Sequence, residues 1–369
     1  MKKVMSLIKN LFRWGLYLSY LILIVVVILE VIFRILPTSD SLMIQAVNEN
    51  EPILHFKENR SITKQIGFNF THVNKKKINN FGYATDTKFL TKELQENKKK
   101  KIVASIGDSF VEAVQVNNKD TFHALLDKIN DDINVYPIGV NGSPLSQYIA
   151  FYKYAEKLFD PDIYIFTIVY NDFDQSWFEI KKAAGYHYFT NNGDLELKNY
   201  NPSYLKELAR KSAFVRYLYL DLQISVQISR LKGIFQRDAK PKPTIQINND
   251  YDERRKELGI KAADIFMKKV EDLSKRKKVI IVTDGDRESI YDGKINRKID
   301  SLVTLWIERI IYQAEKIQNV YLIDMHPIML LDWQKKQSKF NWEYDGHWNE
   351  HGHSLVSKAL NEKLKKIID

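Results

Sequence analysis

Four short stretches carry residue types that together can perform nucleophilic acyl chemistry. In Lys101–Val116, KIVASIGDSFVEAVQV, a β-branched run ends at Ile106 and is interrupted by Gly107-Asp108-Ser109. A serine on a sharp turn at the carboxyl end of a buried strand is held by the sheet yet stays reachable, as a nucleophilic hydroxyl must be. The triplet alone is equally ordinary turn or helix-capping chemistry. A serine hydroxyl needs a base within hydrogen-bond reach and a third group to orient that base. Asp345-Gly-His347 offers both on one loop: with His347 facing Ser109, its second ring nitrogen can donate to Asp345. The developing oxyanion needs preorganised donors, and the backbone N–H groups of Ser109 and Gly142 with the side-chain amide of Asn171 supply three.

These residues must be positioned by the elements around them. From Lys101 the chain alternates: a strand at Ile102–Ile106, a helix near Thr121–Ile129, a strand at Ile133–Ile138, a helix near Leu145–Leu158 and a strand at Ile163–Val169. Such alternation predicts a parallel sheet covered on both faces, a three-layer α/β/α sandwich whose ligands bind at the carboxyl ends of the strands. Ser109 then follows the first strand, Gly139–Gly142 the second and Asn171 the third. The alternation lapses over about 173–251, which reads as an insertion or lid. Phe173–Asn199 is aromatic and polar, Pro202–Phe235 has the apolar spacing of one long helix, and Gln236–Asp250, with Pro241 and Pro243, reads as a loop. Helix and strand resume at Asp252–Ser274, Lys278–Thr283, Ile299–Lys316 and Asn319–Ile323, and an amphipathic helix, Ser354–Ile368, closes the chain.

With these blocks in order, the chain resembles the SGNH (GDSL-type) hydrolase superfamily. Ile106-Gly-Asp-Ser-Phe110 resembles its nucleophile block, Gly139-Val-Asn-Gly142 its glycine block, Tyr170-Asn171-Asp172 its asparagine block, and Asp345-Gly-His347-Trp-Asn349 with Gly352 its acid and base block. The resemblance covers about 101–360, more weakly Asn79–Tyr83, and leaves the insertion unmatched. It implies a flavodoxin-like sheet, Ser109 as nucleophile, Gly142 and Asn171 in the oxyanion hole, His347 as general base, Asp345 as its orienting acid, and no metal or organic cofactor. Three positions depart from the pattern: Val169 replaces the glycine opening the asparagine block, Pro137 stands for an asparagine ahead of the glycine block, and Tyr344 fills the usual acid position three residues before the histidine.

The same tail admits a second reading. Asp345, His347, His351 and His353 form a D-x-H-x₃-H-x-H cluster with metal-ligand residue types, although Gly346 and Gly352 oppose a continuous helix there. Asp284-Gly-Asp286-Arg287 follows a strand on the same sheet edge, which makes Asp286 and Arg287 candidates for contacting a substrate hydroxyl or carboxylate, or an ion-paired surface turn.

The N-terminus sets the location. Lys2, Lys3, Lys9 and Arg13 precede Trp14–Leu29, which has no charge, and the apolar segment 14–36 is long enough to cross a bilayer. Basic residues on the amino side predict a cytoplasmic 1–13, a single uncleaved anchor and a periplasmic or extracellular body, with a cleaved signal peptide as the alternative. Glu30 and Arg34, one turn apart, can pair near the far interface. Residues 37–100 read as a membrane-proximal connector and 101–369 as the hydrolase-like domain. The chain has 369 residues, no cysteine and a formal charge of +10; scattered lysines suit phospholipid or acidic glycan and oppose nucleic acid as a partner. The combined expectation is a serine-dependent hydrolase of an acylated envelope glycan or other ester. An O-acyltransferase working with a membrane acyl-donor partner, or an inert glycan-binding scaffold, are the alternatives.

Overall fold

The computed structural model describes residues 2–95, 100–224, 228, 249–298, 301–343 and 345–368. In chain order these form α1 (Lys2–Ile35), the paired strands β1 (Arg60–Ile66) and β2 (His72–Ile78), β3 (Lys101–Gly107), α2 (Ser109–Glu112), α3 (Phe122–Ile129), β4 (Ile133–Gly139), α4 (Leu145–Phe159) and β5 (Ile163–Ile168). There follow α5 (Phe178–Lys181), the hairpin β6 (His187–Phe189) and β7 (Leu195–Leu197), α6 (Tyr204–Lys211) and α7 (Ala213–Arg216). After these come α8 (Asn249–Ser274), β8 (Lys278–Thr283), α9 (Arg287–Tyr291), α10 (Leu302–Ala314), β9 (Val320–Asp324), α11 (Met325–Lys336) and α12 (Glu350–Lys365). The chain divides into two compact units. One comprises Met1–Ser41, Thr63–Val73 and Ser203–Lys240; the other comprises Leu42–Ile62, Asn74–Pro202 and Pro241–Asp369.

The larger unit is built on a five-stranded sheet in the order β4-β3-β5-β8-β9, and every pairing in it is parallel. This is the flavodoxin-like order with its switch point beside the first strand. Alternating side chains send the strands' apolar groups to both faces. Ile102, Ala104 and Ile106 of β3, with Tyr164 and Phe166 of β5, join one core with α4, α8 and α10. Val103, Ile163, Ile165, Ile280 and Val282 join the other with α3, α11 and α12. Each fully buried aliphatic side chain of this kind contributes roughly 1.5–3 kcal/mol. The expected α/β/α sandwich is therefore present.

Two expectations change. The long helix expected over Pro202–Phe235 is broken where it is described: α6 ends at Lys211, Ser212 accepts the N–H of Val215 to start α7, and Tyr217–Asp221 closes as a π turn. A serine that can cap competes with helix continuation, whatever the apolar spacing. Most of the rest of that segment, and the loop expected over Gln236–Asp250 up to residue 248, lie outside the described residues. Conversely, α11 was not expected. It follows β9 without a loop, capped by the Asp324 side chain on the N–H of His326, and Pro327 sits in its first turn where no N–H is needed.

The first helix contains one apolar stretch, Ile8–Ile35, long and apolar enough to cross a membrane by length and composition. Near its end Glu30 and Arg34 pair at 2.8 Å.

The glycines of the first two sequence blocks have a packing role. Gly107 and Gly139 are register partners at the carboxyl ends of β3 and β4. A Cβ on Gly139 would lie 2.7 Å from Val111 Cβ and 2.9 Å from the Asp108 carbonyl. Only hydrogen at these positions lets α2 lie directly on the strand ends. Gly139→Ala is expected to destabilise the fold by about 1–3 kcal/mol through overpacking. Thermal unfolding of the detergent-solubilised chain, followed by tryptophan fluorescence, would show a lower midpoint; an unchanged midpoint would refute the close-approach role.

Candidate active site

Ser109 opens α2 immediately after β3, and its hydroxyl lies 2.7 Å from His347 Nε2. On the other side of the ring, Asp345 Oδ1 bonds His347 Nδ1 and also accepts the His347 backbone N–H at 2.9 Å. The ring thus carries its proton on Nδ1 toward the carboxylate, and Nε2 is left to accept from the Ser109 hydroxyl. Ser109 is 5% exposed, so the hydroxyl is sheltered without being sealed. Asp345 and His347 share a loop, and an aspartate two residues before the histidine binds both its N–H and its ring.

Burial alone would lower the His347 pKa, but the hydrogen bond and charge of Asp345, with Asp108 and Glu112 beyond it, raise it above the ordinary value. Burial would raise Asp345, yet the same bond, the histidine charge, the His347 N–H and the Gln115 side chain hold it below the usual carboxylate range. Asp108 is fully buried and its pKa is pushed up by desolvation, against bonds from the N–H groups of Phe110 and Ser109 and the nearby His347 charge. Its Oδ2 also lies 3.2 Å from the Ser109 hydroxyl, a second acceptor for that proton.

The loop carrying His347 is fastened at its next residue. Trp348 is fully buried, donates its indole N–H to Asp284 at 2.9 Å and meets Phe110 edge-on at 4.9 Å. Asn349 then caps α12 by accepting the Gly352 N–H. Gln115 had no signal in the sequence. The loop that carries it is held by β2: Asn74 donates to its carbonyl at 2.5 Å, and the buried Lys76 ammonium donates to the Ala113 carbonyl at 2.9 Å. Desolvation lowers Lys76 to about 7, partly opposed by Glu112, Asp86 and Asp120.

Gly142 sits after β4 with φ +74°, where a side chain would be strained. The peptide that contains its N–H is held at its carbonyl, and the peptides on either side are held as well. Tyr186 donates its hydroxyl to the Asn141 carbonyl at 2.8 Å, and the Asn141 N–H donates to the buried Glu112 carboxylate. The Lys181 ammonium donates to the Gly142 carbonyl and lies 3.8 Å over the Tyr186 ring. Burial lowers Lys181 to about 8, opposed by Asp108 and Asp172. Lys181 and Tyr186 come from the insertion, where the sequence indicated only an aromatic and polar segment. Asn171 is half-buried in the turn after β5. That turn is set by Asp172, whose side chain accepts the Val169 N–H at 2.8 Å and the Tyr148 hydroxyl at 2.9 Å. Desolvation and Asp108 raise Asp172 well above the usual range.

The remaining candidates are placed differently. Asp286 caps α9, accepting the Ser289 hydroxyl and the Lys298 N–H, each at 2.8 Å. Arg287 pairs with Asp284 at 2.8 Å, and its guanidinium carbon lies 5.6 Å over the Phe110 ring. Both line a cavity of about 370 Å³ that Tyr170 also borders. The histidines of the D-x-H-x₃-H-x-H pattern diverge. His351 pairs with Asp332 at 2.6 Å, while His353 is buried, lowered to about 3 by desolvation, and accepts the Phe122 N–H at 3.2 Å. Among the described residues no group of three such side chains can hold a metal ion. Tyr344, at the usual acid position, lies outside the described residues.

No family model and no curated protein matches the sequence. The chain is similar at low identity to solved structures that include a lipolytic G-D-S-L protein and carbohydrate-active esterases. A member of the lipolytic G-D-S-L family from Veillonella parvula is 13% identical, with TM-score 0.38, over 72% of this chain and 100% of that one. An acetylxylan esterase from Geobacillus stearothermophilus is 13% identical, with TM-score 0.39, over 72% and 96%. A two-domain esterase active on acetylated mannans, crystallised with mannopentaose, is 12% identical, with TM-score 0.39, over 74% of this chain and 52% of that one.

The ionisation pattern makes a pH prediction. A base must be neutral to accept a proton, so the rate at which a fluorophosphonate probe labels the chain should rise with pH, with a midpoint above 6.5, the ordinary histidine value. Asp345→Asn removes the charge that holds the midpoint up. It should move the midpoint down and lower the plateau rate on the order of 10³–10⁴-fold. A midpoint indifferent to this change would dissociate Asp345 from His347.

Proposed function

We propose that the chain is a serine-dependent acyl-ester hydrolase working through an acyl-serine intermediate. The observation that carries this reading is the 2.7 Å approach of the Ser109 hydroxyl to His347 Nε2 while Asp345 binds Nδ1. Ser109 Oγ attacks the ester carbonyl carbon as its proton passes to Nε2. The tetrahedral oxyanion is met by the N–H groups of Ser109 and Gly142 and the side chain of Asn171. Collapse breaks the carbonyl–alkoxide bond, and His347 gives its proton to the departing alcohol. Water, deprotonated by His347, then attacks the acyl-serine and releases the acid and the free hydroxyl.

The apolar helix Ile8–Ile35, preceded by Lys2 and Lys3, supports an uncleaved anchor with the esterase-like body outside the cytoplasm. That location and the +10 charge favour an acylated envelope glycan as substrate.

The test uses the full-length chain in detergent with a fluorophosphonate probe and an aryl acetate. Ser109→Ala should abolish labelling and lower turnover by at least about 10³-fold. Turnover that survives Ser109→Ala would overturn the reading, and chelator sensitivity of that residue of activity would point to metal chemistry.

Positioning of the oxyanion donor gives a separate expectation. Tyr186→Phe frees the Asn141–Gly142 peptide without removing the ring beneath Lys181, so kcat should fall on the order of tenfold with KM unchanged. The rate ratio between an oxoester and its thionoester should also shrink, because sulfur accepts hydrogen bonds poorly and reports the oxyanion contacts. An unchanged ratio would limit Tyr186 to packing.

A further inference from the structure

The far end of α1 is built into the smaller unit by contacts an isolated anchor does not need. The Glu30 carboxylate accepts the Ser212 hydroxyl at 2.6 Å and the N–H groups of Ala213 and Phe214 at 3.1 Å, so it closes the first turn of α7. Phe33 stacks on Tyr217 at 4.2 Å and on Phe214 at 5.6 Å. Arg34 donates to the Lys211 carbonyl, the last residue of α6, at 3.3 Å. The segment α6–α7 is therefore held at the depth of Glu30 and Arg34, where the apolar stretch of α1 ends.

At that depth α6 is split lengthwise. At 100° per residue, Tyr204, Leu205, Leu208 and Ala209 fall on one side and Lys206, Glu207, Arg210 and Lys211 on the other. The apolar side is uncovered: Tyr204 is 77% exposed, Leu205 74% and Leu208 51%, and Tyr219 beyond α7 is 67% exposed. The apolar side chains of α1 beside this attachment, Val31, Ile32 and Ile35, are exposed as well. Tyrosine has an apolar ring with a polar tip, and lysine and arginine flank the stripe, the composition suited to the boundary between headgroups and acyl chains.

We propose that α6 lies in the interfacial layer of the same bilayer that α1 crosses, with Tyr204, Leu205 and Leu208 among the upper acyl chains and Lys206, Arg210 and Lys211 toward the phosphates. The occupant of this face is phospholipid. What selects it is continuity: the stripe is tied by Glu30, Phe33 and Arg34 to the end of a helix whose own uncovered surface is apolar. The inference rests on the anchor reading given above. Glu30, a carboxylate inside an apolar run, then acts as the tie that sets the depth of α6.

The natural chain has no cysteine, so single cysteines can be introduced into the full-length protein without a background. Val27→Cys, Leu208→Cys and Glu207→Cys would each be labelled with an environment-sensitive fluorophore. The labelled chains are reconstituted into vesicles of phosphatidylcholine and phosphatidylglycerol, with and without a lipid spin-labelled near the top of its acyl chain. Leu208→Cys should emit at shorter wavelength than Glu207→Cys and be quenched by the spin-labelled lipid roughly twofold more strongly. If Val27→Cys emits as a lipid-buried site while Leu208→Cys and Glu207→Cys are equally wet, the interfacial helix is overturned and the anchor stands. If Val27→Cys is itself wet, anchor and inference fall together. A blue-shifted but unquenched Leu208→Cys would mean that protein covers the face, and would also overturn the proposal.

Discussion

The hydrogen bond between Ser109 and His347 joins side chains 238 positions apart in sequence, and most of the larger unit can be understood as what that bond requires. A serine hydroxyl and an imidazole meet at 2.7 Å only if both backbones are fixed more tightly than surface loops usually are. On the serine side, fixation comes from Gly107 and Gly139, whose missing side chains let α2 rest on the strand ends. On the histidine side it comes from Trp348, pinned through its indole N–H to Asp284 and against Phe110. Phe110 belongs to α2, so the residues following Ser109 and His347 pack on one another. Phe110 also lies 5.0 Å from the His347 ring, so an aromatic contact flanks the bond.

Electrostatics adds a second constraint. Asp108 and Asp172 are fully buried, and desolvation raises both; Asp345 is kept ionised by the histidine it orients. Asp345 alone of the three bonds the His347 ring, while Asp108 and Asp172 accept backbone N–H groups and so shape turns. Asp108 caps the turn beneath Ser109, and Asp172 folds the turn that presents Asn171. The aspartates of the nucleophile and asparagine blocks are thus explained by geometry: each satisfies backbone N–H groups that a sharp turn at a strand end leaves without partners.

The sequence made the sheet legible because strands buried on both faces must be nearly continuous apolar runs, and Ile163–Ile168 and Lys278–Thr283 are such runs. The positions of Ser109, Gly142 and Asn171 just after three neighbouring strands were legible for a related reason, since the alternation itself orders those strand ends. Gln115, Lys181 and Tyr186 were not. Each acts through a contact fixed by the fold, on Asp345, the Gly142 carbonyl and the Asn141 carbonyl, and a lone polar residue in a segment without periodicity announces no partner. The helix α11 was hidden because Pro327 reads as a break unless one knows that it falls in a first turn. The overextended helix after Pro202 shows the converse error: apolar spacing persisted through Ser212, whose hydroxyl and neighbouring N–H groups were already engaged by Glu30.

That engagement bears on why the alternation lapses where it does. A parallel sheet tolerates long excursions at the carboxyl ends of its strands, because a loop there interrupts no hydrogen-bond ladder and lengthening it costs little closure entropy. The excursion after β5 is used twice. Residues up to Pro202 belong to the sheet-bearing unit and supply Lys181 and Tyr186 to the glycine block, whereas Ser203 onward belongs to the unit of α1 and supplies the helix start that Glu30 caps. In both halves a charged group placed in an apolar or poorly solvated setting has its hydrogen-bonding capacity met by backbone atoms: the Lys181 ammonium by a carbonyl, the Glu30 carboxylate by two N–H groups. Leaving either group unmet would cost more than the contact itself contributes, since a desolvated charge without a partner forfeits several kcal/mol. Lys181 and Glu30 therefore fasten the two halves of the excursion through bonds to backbone atoms.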